Sequence, residues 1–160
     1  MRVVAITVVL GLLVPTLGGT QELNPEYDFL GPYRAEVVRV IDGDTLLVKV
    51  ELWPNLTAEV SARVRGVDAP EVSYPDCASA ELRGQQAKSF VEDRYAPGDI
   101  VQLRDVGPDA FFGRVVADVR RKMSDRWLPL EKELQEAEPP LALEWLPGKQ
   151  PIPWCLLTMP

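Results

Sequence analysis

Three stretches rich in β-branched residues follow one another with only turn signals between them, and this pattern restricts the first half of the chain to consecutive strands. Residues 37–41 and 44–50 flank Asp42-Gly43, a dipeptide typical of tight hairpin turns. The turn Trp53-Pro54-Asn55 precedes a third stretch, residues 60–67, in which apolar and polar side chains alternate. We therefore expect three strands joined by short connections.

The second half of the chain adds helices and two more strands. A helix is predicted over residues 79–95, before the stop signal Pro97-Gly98. Strands are predicted over residues 100–106 and 114–121, a short helix over about residues 125–137, and irregular structure in the proline-rich remainder. A helix between the third and fourth strands is typical of the OB-fold. The expected fold class is α+β, mainly β: an OB-fold-like five-stranded barrel with two or three flanking helices.

The N-terminus has the three parts of an export signal. Arg2 precedes an uncharged apolar run, residues 3–17, and Thr16 and Gly18 suit the −3 and −1 positions of a cleavage site. The run contains Pro15 and is shorter than the roughly 20 residues of a membrane span. An uncleaved anchor or a buried strand is the alternative.

The domain organisation follows from this signal. We expect a signal peptide over residues 1–18, a linker over residues 19–33 and one domain over residues 34–157, exported to the periplasm or the extracellular space. Cys77 and Cys155 are the only cysteines, and an even number in an oxidising compartment permits one disulfide. We expect that bridge; the alternative is two buried thiols.

Histidine is absent from the chain. This excludes Ser-His-Asp and Cys-His catalysis and any zinc site with histidine ligands. Any catalysis would therefore depend on carboxylates, on other polar side chains, or on a metal ion with oxygen ligands. The net charge of −7 argues against a nucleic-acid partner, unless much of the negative charge lies at a cation site.

The first of three charged motifs is Ile41-Asp42-Gly43-Asp44-Thr45. Asp-Gly between apolar runs is by itself a hairpin signal. Asp44, however, opens a strand, where aspartate is disfavoured. Such a departure from local propensity indicates a functional use.

The second motif covers residues 63–71. By alternation Arg63, Arg65 and Val67 share one strand face, and Asp68 and Glu71 follow the end of the strand. The ordinary interpretation is a polar strand end that enters a solvated loop. The functional interpretation is that two carboxylates and a guanidinium converge where the strand leaves the barrel.

The third motif is Phe111-Phe112-Gly113-Arg114, which alone predicts only an aromatic pair and a surface arginine. Taken in order, the three motifs resemble those of the thermonuclease family, the staphylococcal-nuclease-like nucleases. That family has Ile-Asp-Gly-Asp-Thr, then an arginine five residues before Asp-(Thr/Ala)-Pro-Glu, then Tyr-Gly-Arg. The resemblance covers about residues 34–123.

The resemblance implies a Ca²⁺-dependent phosphodiesterase that hydrolyses DNA and RNA by metal-assisted attack of water. The implied metal ligands are Asp44, Asp68 and the backbone carbonyl of Ala69, and Asp42 would lie near the ion through water. Ca²⁺ is a hard cation that takes about six to eight oxygen ligands, so this donor set suits it without histidine.

The implied catalytic residues are Arg63, Arg114 and Glu71. The two guanidiniums would bind the phosphate and favour the more highly charged transition state. The Glu71 carboxylate would orient or deprotonate the attacking water.

Two departures from the family pattern affect substrate binding. Phe111 and Phe112 stand where the family commonly has lysine and tyrosine, so substrate binding shifts from phosphate contacts towards stacking on bases. Residues 131–144 are acidic, and the resemblance is poor beyond Met123.

The expected partner is a nucleic-acid substrate; we expect a monomer without a stable protein partner. The alternative function is a non-catalytic nucleic-acid-binding module in the cell envelope. The presence of every matched metal and catalytic residue favours the enzyme.

Overall fold

The computed structural model describes residues 29–157 except residue 147, so the expected signal peptide and most of the linker lie outside the described residues. The strands are β1 (Tyr33–Asp42), β2 (Thr45–Trp53), β3 (Leu56–Val64), β4 (Val67–Asp68), β5 (Ile100–Pro108), β6 (Arg114–Met123), β7 (Arg126–Pro129) and β8 (Leu143–Glu144). The helices are α1 (Ala78–Glu92) and α2 (Leu130–Gln135), and a 3₁₀ turn covers Trp154–Leu156.

Five of these strands form a closed barrel in the order β3-β2-β1-β5-β6. Neighbours in this order pair antiparallel, and the barrel closes through a parallel pairing of β3 with β6. In that pairing Ser61 lies opposite Arg114 and Arg63 opposite Val116. The OB-fold-like α+β architecture is confirmed, with α1 between β3 and β5 in the chain.

The core fills the barrel with alternate residues of its strands, as the period of two requires. Fully buried members include Leu46, Val48, Ala62, Val101 and Val119. Outside the barrel, α1 contributes Ala87 and Val91, α2 contributes Leu130 and Leu134, and Tyr95 follows α1. Each fully buried valine or leucine side chain stabilises the fold by about 1.5–3 kcal/mol.

The short second helix begins later than the sequence predicts. Residues 126–129 form β7, which pairs with β6 so that Met123 lies opposite Arg126. Ser124 adopts φ 54° in the connecting turn. The free edge of β6 offers these residues backbone hydrogen bonds, and this outweighs the helical spacing of Trp127, Leu130 and Leu134.

The proline-rich C-terminal stretch is less irregular than expected. Residues 143–144 form β8, which pairs with β4 in a separate two-stranded sheet. The expected disulfide is confirmed: Cys77, at the N-cap of α1, is bonded to Cys155 in the 3₁₀ turn, 78 residues away. Within the described residues, no helix has the length and apolar character needed to cross a membrane.

Candidate active site

The three charged motifs meet at one end of the barrel. The β1–β2 turn carries Asp42 and Asp44, and the ladder between β2 and β3 places Thr45 opposite Arg63. The pairing of β3 with β6 brings the start of β6, with Arg114, beside the same region. An apolar cavity of about 650 Å³ opens elsewhere, among residues such as Tyr33, Val50 and Leu103, and includes none of the motif residues.

Asp44 is the buried centre of this cluster, with only 2% of its surface exposed. Its Oδ1 accepts hydrogen bonds from the Thr45 hydroxyl at 2.8 Å and from Arg63 Nη1 at 3.1 Å. Its Oδ2 accepts the backbone N–H of Ala69 at 3.0 Å. Burial raises the pKa of Asp44 to about 8, and the Arg63 guanidinium acts in the opposite direction. A carboxylate in this position gains from any further cation beside it.

Arg63 links two carboxylates. While Nη1 donates to Asp44, Nη2 donates to Asp68 Oδ1 at 2.7 Å. Burial works to lower the pKa of Arg63, but the two aspartates outweigh it and the pKa is raised. The three side chains therefore form a fixed arrangement of charge-assisted hydrogen bonds.

Arg65 does not join this cluster, although it alternates with the buried Val64 as Arg63 does. Its Nη2 donates to the backbone carbonyls of Asp105 and Val116, and Val67 is fully buried. The prediction of a shared face fails only for Val67, because Gly66, at φ 81°, ends the regular alternation between Arg65 and Val67. Arg63 is thus the arginine of this motif that faces the carboxylates.

Glu71 lies in the loop between β4 and α1, at the edge of the cluster. Partial burial and the neighbouring Asp42 carboxylate raise its pKa, while Arg63 and Arg114 act against this. Asp42 itself accepts the backbone N–H of Asp44 at 3.2 Å, which fixes the β1–β2 turn. The structure therefore brings the expected base, both arginines and the aspartates within electrostatic range of one another.

Arg114 is held by a residue that sequence reasoning missed. Its Nη2 donates to Asp109 Oδ1 at 3.0 Å, and its guanidinium lies 4.4 Å from the centre of the Phe111 ring. Asp109 also accepts the backbone N–H of Phe111 at 3.0 Å. Burial alone would raise the pKa of Asp109, but these donors lower it. The sequence signal for this role of Asp109 was its position two residues before Phe111, which is the spacing of an Asx turn.

The aromatic pair is exposed rather than part of the core. Phe111 is 64% exposed and stacks on Arg114, and Phe112 is fully exposed beside it. An aromatic ring and a guanidinium on one loop can contact a base and a phosphate of the same strand.

Two glycines set the position of the cluster against α1, a role that was not predicted from the sequence. A Cβ at Gly43 would lie 2.6 Å from the Ala87 Cβ, so the β1–β2 turn packs directly on the helix. A Cβ at Gly84 would lie 2.6 Å from the carbonyl oxygen of Pro70, in the loop that carries Glu71. Glycine inside a helix costs up to about 1 kcal/mol, so its presence at position 84 was the sequence signal for a close approach of another part of the chain to α1.

The donor set of the expected metal site suits Ca²⁺ in its chemistry. Asp44, Asp68 and the Ala69 carbonyl would supply hard oxygen ligands, and the buried Asp44 carboxylate favours a cation. In the described part of the chain, however, no three acidic, cysteine or histidine side chains are grouped as a ready metal centre. The Arg63 guanidinium bridges the two carboxylates. These residues can hold the ion if Arg63 releases the carboxylate of Asp44 or that of Asp68.

No protein-family model matches the chain, and a search of curated proteins finds no match. Membership of the thermonuclease family therefore stays a prediction based on the motifs.

Proposed function

We propose that the protein is a Ca²⁺-dependent nuclease that hydrolyses phosphodiester bonds of DNA and RNA. The observation that carries this proposal is the Asp44–Arg63–Asp68 arrangement, which lies at the end of the barrel beside Glu71 and Arg114. A buried aspartate with a second aspartate beside it, two arginines and a carboxyl group with a raised pKa are groups that can carry out hydrolysis of a phosphodiester.

The metal and the arginines would share the negative charge of the substrate. Ca²⁺, held by Asp44, Asp68 and the Ala69 carbonyl with Asp42 nearby, would polarise a phosphoryl oxygen and stabilise charge that develops on it. Arg63 and Arg114 would bind the phosphate through their planar forks of N–H donors. The Arg114 side chain is already fixed by Asp109. Little side-chain entropy is then lost when the substrate binds.

Glu71 would act as the general base. It would accept a proton from a water molecule while the water oxygen bonds to phosphorus and the bond to the leaving ester oxygen breaks. The raised pKa of Glu71 makes its carboxylate a stronger base than an ordinary glutamate. No covalent intermediate is needed, in agreement with the absence of histidine.

Phe111 and Phe112 would bind a base of the substrate by stacking, because both rings are exposed beside Arg114. The Cys77–Cys155 disulfide supports export to an oxidising compartment, in which such bonds persist. We propose that the protein acts there as a monomer.

The test is cleavage of DNA and RNA with Ca²⁺, followed by addition of EGTA. We expect cleavage that stops with EGTA and falls about 10²–10³-fold in Arg114→Ala, with a similarly steep loss in Glu71→Gln. The matched controls, Glu81→Gln on α1 and Arg126→Ala on β7, change exposed residues of the same types and should keep full activity. Intact substrate with the wild-type protein under saturating Ca²⁺ would refute the proposal.

The second candidate is a non-catalytic nucleic-acid-binding module of the cell envelope. The observation in its favour is that Arg63 bridges the two carboxylates that a metal would need. Binding of DNA that persists in Ca²⁺ without any cleavage would establish this function instead.

A further inference from the structure

Trp154 connects the C-terminal segment to the candidate metal site. Its indole Nε1–H donates to Asp68 Oδ2 at 3.0 Å, across 86 residues of sequence. Arg63 binds the other oxygen of the same carboxylate. The Trp154 side chain is 6% exposed, so its N–H group has little access to water and depends on this acceptor.

The 3₁₀ turn that carries Trp154 is fastened to α1. Cys155, the next residue, forms the disulfide with Cys77 at the start of α1. Arg83 of α1 donates to the backbone carbonyls of Trp154 at 3.2 Å and of Leu157 at 2.7 Å. A turn of three residues has little stability of its own, so these links determine where the indole lies.

We propose that Trp154 is a positioning residue that orients Asp68 for Ca²⁺, and that the Cys77–Cys155 disulfide with Arg83 holds Trp154 in place. This inference rests on the proposed function. The Asp68 side chain is 22% exposed, so without the indole donor its carboxylate can rotate towards water. Groups that hold a metal ligand by a hydrogen bond typically change metal affinity about 10–100-fold when they are removed.

The first experiment measures Ca²⁺ binding by calorimetry, without any substrate. Trp154→Phe keeps an aromatic ring in the core and removes the N–H donor, and we expect its Ca²⁺ affinity to fall at least about 10-fold. Trp53→Phe, at a 72% exposed indole, is the control and should bind as the wild type does. Urea denaturation of both variants shows whether each is folded.

The second experiment observes the indole directly. In a ¹⁵N–¹H spectrum the Trp154 indole signal, assigned by its loss in Trp154→Phe, should be protected from solvent exchange. It should shift in Asp68→Asn and on titration of the wild type with Ca²⁺. This readout follows the hydrogen bond itself and does not depend on cleavage or on the stability of a Trp154 variant.

The disulfide is tested by reduction and by the Cys77→Ser/Cys155→Ser variant. Cys155 is exposed, so a thiol reductant can reach the bond. We expect a lower Ca²⁺ affinity and faster exchange of the indole N–H. Adding Trp154→Phe to the double serine variant should lower the affinity little further, since both changes act through one contact.

The outcomes separate this inference from the proposed function. A wild-type protein that binds Ca²⁺, together with a folded Trp154→Phe that binds it equally well, overturns the positioning role alone. An indole signal that does not respond to Ca²⁺ or to Asp68→Asn also overturns the positioning role alone. A wild-type protein that does not bind Ca²⁺ overturns the proposed function and this inference together.

Discussion

Replacing Gly84 with alanine would force α1 and the loop that carries Glu71 apart. The added methyl carbon would lie 2.6 Å from the carbonyl oxygen of Pro70 and 3.0 Å from that of Glu71. Even a close carbon–oxygen contact is about 3.3–3.6 Å, so the helix or the loop must move by roughly 0.5–1 Å. Both opposing atoms belong to the backbone, and no side-chain rotation can relieve the overlap.

The change in stability is the small difference of two effects. Alanine gains about 1 kcal/mol of helix propensity over glycine, and overpacking costs about 1–3 kcal/mol. We therefore expect the free energy of unfolding to fall by about 0–2 kcal/mol. Activity should respond more strongly, because a displacement of about 1 Å at a catalytic group can lower the rate about 10²-fold. Gly84→Ala should lose at least about tenfold in kcat.

Urea denaturation and initial rates of DNA cleavage in Ca²⁺ measure the two quantities on the same protein. Gln86→Ala, at an exposed position of α1, is the control for an alanine in this helix and should leave both quantities nearly unchanged. A Gly84→Ala protein that is about 1 kcal/mol more stable and fully active would show that a methyl group at position 84 causes no steric overlap with the loop, and would refute the reasoning.

Three further predictions concern the packing of α1 and α2. Tyr95→Phe removes the hydroxyl that donates to Glu133 at 2.8 Å, and should lower the free energy of unfolding by about 0.5–1.5 kcal/mol; an unchanged urea midpoint would contradict this. Burial and Glu133 raise the pKa of Tyr95, so the folded protein keeps a proton that the unfolded chain loses, and stability should fall as the pH rises above about 10. Tyr95→Phe should lack this part of the pH dependence. Leu134→Ala, at a fully buried position, should cost about 2–5 kcal/mol, against less than about 0.5 kcal/mol for the exposed Leu82→Ala; equal losses would rule out the described position of α2.

The sequence predicted best what depends on neighbours in the chain. The strand-forming apolar residues of 37–41 and 44–50, with Asp42-Gly43 between them, are sufficient to predict the β1–β2 hairpin. The stop signal after residue 95 and the strand-like residues that follow gave the correct order of elements. The prediction failed at residues 126–129, where a helical spacing was overridden by the free edge of β6.

For the candidate site, too, local features could be predicted from the sequence and long-range contacts could not. The sequence by itself determined which charged residues stand at strand ends and turns, because alternation and turn chemistry act over a few residues. Only the tertiary structure decided that Arg63 bridges Asp44 and Asp68 and that Arg65 binds backbone carbonyls instead. Only it brought Trp154 to Asp68 and Gly84 against the Pro70 carbonyl. The physical reason is that these contacts depend on barrel closure and on the packing of α1 and the C-terminal segment against it, and no local pattern encodes the distance between residues so far apart in the chain.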